Sequence, residues 1–144
     1  MARNRAFLDT SILMTALLSS RGGSFYILTQ LKDKFHFQIN KYVLEEILEV
    51  LIKKFFSQRE LKSNLFFLLG FAKVEVLSNP TKSSLRLLGK IINRKDAPIL
   101  ASALQNSDYL LTLDKDFLDV RVRDFAEQNN LLILTHREFI DTLC

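Results

Sequence analysis

Short apolar runs suited to strands alternate with helix-patterned segments from one end of this chain to the other. That alternation narrows the fold more than any single residue does. Strands separated by helices return to a sheet in the same direction, which builds a parallel sheet covered by helices. The runs fall at Ala6 to Leu8, Phe35 to Ile39, Lys73 to Leu77, Tyr109 to Leu113 and Leu131 to Leu134. Lys73 to Leu77 is either an edge strand or only an extended segment. Helices are expected over Ser11 to Ser20, stopped by Arg21-Gly22-Gly23, and over Ser24 to Lys34, each opening on a serine able to cap. Lys41 to Phe56 is the most regular, with Val43, Leu44, Ile47, Leu48 and Leu51 at helical spacing. Further helices are expected over Glu60 to Leu69, ended by Gly70, and around Leu85 to Leu88 after a polar loop over Ser78 to Ser84. Asp96 is expected to cap a helix running to Gln105 with Pro98 in its first turn, and the last helix starts at Arg137.

The bulk properties set limits on this reading. A chain of 144 residues fits one domain, taken as residues 1–144, and buries roughly 68–70% of the surface it exposes when unfolded. With 48% hydrophobic residues and only 4 Gly and 2 Pro, disorder is disfavoured. Charged or polar residues interrupt every apolar stretch well before the ~20 residues a membrane span needs, and Met1-Ala2-Arg3-Asn4-Arg5 lacks a signal-peptide core, so a cytoplasmic protein without a membrane partner is expected. Cys144 is the only cysteine, which removes internal disulfides and cysteine-based zinc sites. A net charge of +4 suits a polyanionic partner, although many small proteins reach it. His36, inside an apolar strand, and His136, in a turn, have no Ser or Cys motif beside them, and Arg21-Gly22-Gly23-Ser24 has neither the spacing nor the lysine of a phosphate loop.

Four acids fall where elements start or end: Asp9, Glu46, Asp96 and Asp114. Asp9 and Asp114 each close a strand-like run, and in an open parallel sheet ligand chemistry collects at the carboxyl ends of the strands. Each also has an ordinary structural explanation. Asp9 and Asp96 are good helix caps, and Asp114 suits a turn. Glu46 lies nearest the edge of its helix's apolar stripe, whereas Glu49 lies nearly opposite, so Glu46 can face a cleft; pairing with Lys41 or Lys53 at the surface is the competing reading.

If the four converge, a cation must hold them, because packed carboxylates raise one another's pKa unless neutralised. Oxygen-only ligands point to Mg²⁺ or Mn²⁺, a site suited to phosphodiester hydrolysis. Thr10, Ser11 and Thr112 flank the acids and can orient them or serve as backbone caps. Asp116 is a plausible fifth ligand or a turn acid. Arg94, Lys95, Lys115, Arg121 and Arg123 are available for nucleic-acid phosphates, with scattered surface charge as the default.

Three segments carry a resemblance to the PIN-domain family of small metal-dependent ribonucleases, which includes the VapC-type toxins of toxin–antitoxin pairs. They are Phe7-Leu8-Asp9-Thr10-Ser11-Ile12-Leu13, Val43 to Leu51 with Glu45-Glu46, and Lys95-Asp96-Ala97-Pro98 through Leu111-Thr112-Leu113-Asp114-Lys115-Asp116-Phe117. The resemblance implies a three-layer α/β/α sandwich with a central, mostly parallel sheet. It makes Asp9, Glu46, Asp96 and Asp114 the metal-binding acids, with Asp116 at a position that is often acidic and Thr10, Ser11 and Thr112 matching the family's hydroxyls. Either Glu45 or Glu46 matches the second acid, and the helix wheel prefers Glu46. Endonucleolytic cleavage of RNA with Mg²⁺ or Mn²⁺, an antitoxin partner and a homodimer are the implied properties. The alternatives are a non-catalytic RNA-binding or protein-interaction module on the same fold, and phosphotransfer through Asp9, which lacks the close second acid such sites use.

Overall fold

The structure, a computed structural model, describes residues 4–143. Met1 to Arg3 and Cys144 lie outside the described residues. Strands β1 (Arg5–Leu8), β2 (His36–Asn40), β3 (Glu75–Leu77), β4 (Tyr109–Leu111) and β5 (Leu132–Leu134) form one sheet in the order β3-β2-β1-β4-β5. Every neighbouring pair is parallel, with Phe7 opposite Gln38 on one side and Leu110 on the other. Ala6, Phe7 and Leu8 are consecutive and all fully buried, so both faces of the central strand are covered. The sheet with helices on both faces is the expected three-layer arrangement. β3 and β5 are the edge strands, and Val76 of β3 is exposed.

The helices are α1 (Thr10–Leu18), α2 (Gly23–Gln30), α3 (Lys41–Lys54), α4 (Glu60–Phe71), α5 (Lys82–Leu87), α6 (Ala97–Asn106), α7 (Lys115–Leu118), α8 (Val120–Gln128) and α9 (His136–Thr142). α1 packs on α2, α3 and α4, while α6 packs on α3, α5, β1 and β4. Val43, Ile47 and Leu51 are the buried stripe of α3, as its periodicity requires.

Several local expectations are corrected. The caps of the first two helices are not serines. Asp9 caps α1, Gly22 occupies the cap position of α2 without a side-chain bond, and buried Ser24 instead shares a 2.6 Å hydrogen bond with Thr15. Gly70 does not end α4. The helix passes through it and is stopped by Lys73, whose left-handed φ of 55° lets the Val74 N–H turn back to the Leu69 carbonyl. β4 stops at Leu111, so Thr112, Leu113 and Asp114 form a connection beyond the strand. His36 is exposed at the start of β2 beside Glu75, and His136 opens α9. α7 and α8 are additions to the expected helices: α7 is a single turn of 4 residues, and α8 is amphipathic with Val122 and Ala126 buried.

Candidate metal centre

The strand order places the site. From β1 the chain builds outward through β2 to β3, then returns to lay β4 and β5 on the other side, so β1 and β4 flank the point where the direction of winding reverses. The helices leaving two such strands diverge and open a crevice at their carboxyl ends. Asp9 follows β1 directly, and Asp114 follows β4 after two residues.

Asp9 is 5% exposed and held from three directions. Its Oδ2 accepts from the hydroxyls of Ser11 (2.8 Å) and Thr112 (2.7 Å), and its Oδ1 accepts from the Thr10 N–H (2.8 Å). The same two hydroxyls reach onward to the β4 connection. Thr112 Oγ1 accepts from the Asp114 N–H at 3.0 Å, and Ser11 Oγ accepts from the Leu113 N–H at 3.0 Å. Thr112 and Ser11 therefore tie the first acid to the backbone that presents the fourth. Burial pushes the Asp9 carboxyl above its ordinary value, against the three hydrogen bonds that favour its charge, and Asp114 adds to the rise.

Asp96, Asp114 and Asp116 each place a carboxylate oxygen within 4.8 Å of the others. Asp96 sits at the cap position of α6, but its backbone is helical (φ −94°, ψ −14°) and its side chain makes no capping bond. The capping explanation for Asp96 thus fails, and its carboxylate is turned to the cluster. Burial raises its pKa to about 6; the Asn93 amide opposes the rise, Asp114 and Asp9 add to it, and Lys95 opposes it weakly. Asp114 does act as a cap, accepting from the Asp116 N–H at 2.9 Å, which brings Asp116 back beside it.

Glu46 approaches from α3 and lies outside that tight triplet. It accepts a hydrogen bond from the Thr10 hydroxyl, one residue from Asp9. Glu45 is exposed and Glu49 pairs with Lys53, which separates the three glutamates as the helix wheel does. Tyr42, one turn before Glu46, donates its hydroxyl to the Lys95 carbonyl at 2.7 Å, and its pKa is raised by burial, then by Glu46 and Asp96. Glu46 and Asp96 therefore act on a common neighbour.

Two residues not singled out in the sequence organise the acids. Asn93 donates through Nδ2 to Asp96 Oδ2 (2.7 Å) and Asp116 Oδ2 (3.3 Å), and accepts the Asp96 N–H on Oδ1 (3.1 Å). Asn40, fully buried, caps α3 through the Val43 N–H and donates to the Pro98 carbonyl and the Ser102 hydroxyl of α6. An Asn just before a helical pattern is a visible cap signal; nothing in the sequence announces Asn93. Of the cations considered for phosphate contact, Arg123 is engaged by Glu138 through two bonds (3.2 and 3.1 Å) and Arg121 lies 3.7 Å from Asp119.

Replacing Asn93 by Ala should loosen the cluster without unfolding the chain. Residues that orient ligands typically contribute 10–100-fold in metal affinity. Titration calorimetry of the Asn93→Ala variant should show Mn²⁺ binding roughly tenfold weaker than in the wild type, and equal affinity would mean the amide does not hold the acids in place.

The sequence matches the family model of the PIN domain over residues 5–116, and the chain belongs to the PIN-domain family. That is the family the three segments resemble, and its members are generally nucleases. Among solved structures the chain is similar to one of VapBC2 from Rickettsia felis bound to a DNA fragment from their promoter, at 21% identity and a TM-score of 0.65 over 91% of this chain and 98% of that one. It is also similar to PAE2754 from Pyrobaculum aerophilum, at 16% identity and a TM-score of 0.67 over 97% and 89%. At these identities the likeness is one of fold. No curated protein sequence matches the chain. Among the described residues no helix is long and apolar enough to cross a membrane.

Proposed function

We propose that this protein is a metal-dependent endoribonuclease that hydrolyses RNA phosphodiester bonds, and that it is the toxin half of a toxin–antitoxin pair. The observation that carries the reading is the triplet Asp96, Asp114 and Asp116 within 4.8 Å, at the crevice between β1 and β4, beside a buried Asp9 whose charge is disfavoured. Asp96, held above its ordinary pKa by burial with Asp114 and Asp9 adding to the rise, would have its charge offset by a shared cation, and an all-oxygen set fits Mg²⁺ or Mn²⁺. Asp96, Asp114 and Asp116 with Asp9 would hold the ion, and Glu46 would stand at the flank, oriented by Thr10. A divalent ion in such a site activates water and stabilises the leaving oxygen, so no side-chain nucleophile is needed. Within the protein, Thr112 and Ser11 fix Asp9, Asp114 turns Asp116 inward, and Asn93 keeps Asp96 and Asp116 together.

The toxin assignment draws on the likeness to a VapBC2 structure and on an exposed aromatic face of α4. Phe67 (72% exposed) stacks on Phe71 at 6.0 Å, beside a groove that Leu17 and Phe25 help to line. An apolar patch of this kind suits a protein partner, as an antitoxin would be. A homodimer is also part of the proposal, to be read by light scattering.

Purified protein incubated with a mixed-sequence RNA should cleave it with Mn²⁺ or Mg²⁺ and stop when EDTA is added. The Asp114→Asn variant should lose at least about 100-fold in rate, since it removes a proposed ligand from the centre. Cleavage that continues undiminished in EDTA, or in the variant, would overturn the reading.

A further inference from the structure

A second cavity adjoins the acid cluster and differs from it in chemistry. It has a volume of about 680 Å³, within the range of small-molecule sites. Leu85, Gly89, Ile92 and Ala97 give it an apolar wall, of which Ile92 and Ala97 are buried, and the exposed cations Lys82, Arg86 and Arg94 line its solvent side. Asn93 also lines it, and the same side chain bonds Asp96 and Asp116. Asn93 therefore stands between the cavity and the acids, none of which lines it. Among the described residues, Lys82, Arg86 and Arg94 enter none of the ion pairs, whereas Arg121, on a smaller cavity that Asn93 and Asp116 also line, stands beside Asp119. Three uncommitted positive charges around an apolar hollow complement a base carried on a phosphate chain.

We infer that this cleft seats one unstacked nucleotide of a single-stranded RNA, next to the phosphodiester that lies at the acid cluster. The base rests against Leu85 and Ile92, and the flanking phosphates meet Lys82, Arg86 and Arg94. This rests on the ribonuclease reading for the position of the cut. A base paired and stacked in a duplex cannot enter such a hollow without being extruded, so the cleft selects single strands. No aromatic ring is among the lining residues, so the base is held by apolar contact and the cations contribute much of the affinity.

The test is binding rather than cleavage. Fluorescence anisotropy of a labelled ten-nucleotide single-stranded RNA is measured on the full chain with Ca²⁺ in place of Mg²⁺, the RNA being checked intact by gel. The Lys82→Ala/Arg86→Ala double variant removes charge from the rim. Gly89→Leu plugs the hollow while leaving the charge; a Cβ there meets only the Arg86 carbonyl at 3.4 Å, an ordinary contact, and Gly89 has no positive φ. Each should weaken binding by roughly tenfold. The double variant should also flatten the salt dependence by about 1.4, at roughly 0.7 for each phosphate of a single strand that is no longer neutralised, while Gly89→Leu leaves that slope unchanged. The same RNA annealed to its complement should bind the wild type at least about tenfold more weakly. Unchanged affinity in both variants, or equal binding of duplex and single strand, overturns the cleft. If RNA is never cleaved but these shifts occur, the ribonuclease reading falls and the nucleotide site stands; cleavage without the shifts removes the site alone.

Discussion

Asp96→Asn should abolish metal-dependent RNA cleavage while making the metal-free protein more stable at pH 7.5. The two effects have one cause. The Asp96 pKa, raised from 3.8 to about 6, means the folded chain disfavours this charge more than the unfolded chain does. For a carboxyl raised in this way, the folded state binds the proton more tightly, so the penalty is absent below about pH 4, grows between the two values and is complete above about pH 6. A shift near two units corresponds to about 2–3 kcal/mol, reduced to about half by solvent screening at the mouth of the crevice and by the weaker hydrogen bond from Asn93 to an uncharged acceptor. In EDTA the variant should melt several degrees above the wild type at pH 7.5, and the gap should close as the pH falls to 4. Asp9 keeps its burial-raised pKa in both proteins, and because Asp9 and Asp114 add to the rise of Asp96, part of the gain in the variant is relief of that repulsion. Added Mn²⁺ should reverse the order, since a cation shared by the acids stabilises the wild type far more than a chain lacking one of them. Differential scanning fluorimetry with and without Mn²⁺ reads all of this. A variant less stable than the wild type at pH 7.5 in EDTA would mean that Asp96 is an ordinary structural carboxylate.

What could be read in the sequence follows from how far each feature depends on its neighbours in the chain. The parallel sheet was legible because its strands are apolar runs that stand out locally, and Ala6 to Leu8 is buried on both faces. The convergence of Asp9 and Asp114 follows from strand ends, a rule of topology that needs only the order of elements. Glu46 could be told from Glu49 by helical periodicity alone, and Glu49 is indeed taken by Lys53. Asp116 suits a turn or a ligand by sequence alone, and the reason it sits inside the tight triplet is a local one: Asp114 accepts its N–H and so fixes where it points. Other features were illegible because their partners are distant. By sequence the Ser11 hydroxyl either caps a helix or orients an acid, and its bond to Leu113, 102 positions away, is visible in neither reading. By sequence Arg123 is surface charge by default with phosphate contact as the alternative, but Glu138 claims it across an inter-helix contact that no local pattern reveals. Asn93 matters only because Asp116, 23 residues on, folds back to meet it.

Asn40→Ala should be the most destabilising polar substitution near the site and should weaken metal binding from a distance. Asn40 is fully buried at the carboxyl end of β2, beside the central strand. Its Oδ1 accepts from the Val43 N–H at 2.9 Å, which starts α3, the helix that carries Tyr42 and Glu46. Its Nδ2 donates to Pro98 O at 3.1 Å and Ser102 Oγ at 2.8 Å, which fixes the first turns of α6 and with them Asp96. One amide thus ties together two helices that pack on each other, α3 with Glu46 and α6 with Asp96 at its start. Losing the cap costs about 1 kcal/mol, and leaving the buried Ser102 hydroxyl without its partner costs about 1–3 kcal/mol more. The sum, roughly 2–4 kcal/mol, is a large share of the 5–15 kcal/mol that holds a domain together, and urea denaturation at neutral pH should show it as a lower midpoint. Asn40→Asp separates the two roles, because it keeps the acceptor for Val43 and loses both donors while burying a carboxylate. That variant should be at least as unstable as Asn40→Ala at pH 7.5 and should recover as the pH falls, since a carboxyl raised by burial gains its proton in the folded state first. In both variants Mn²⁺ affinity should drop at conditions where circular dichroism shows the chain folded, because α3 and α6 are no longer held at a fixed separation. Wild-type stability in Asn40→Ala would mean that the tie between β2 and α6 carries no weight, and that packing alone positions the acids.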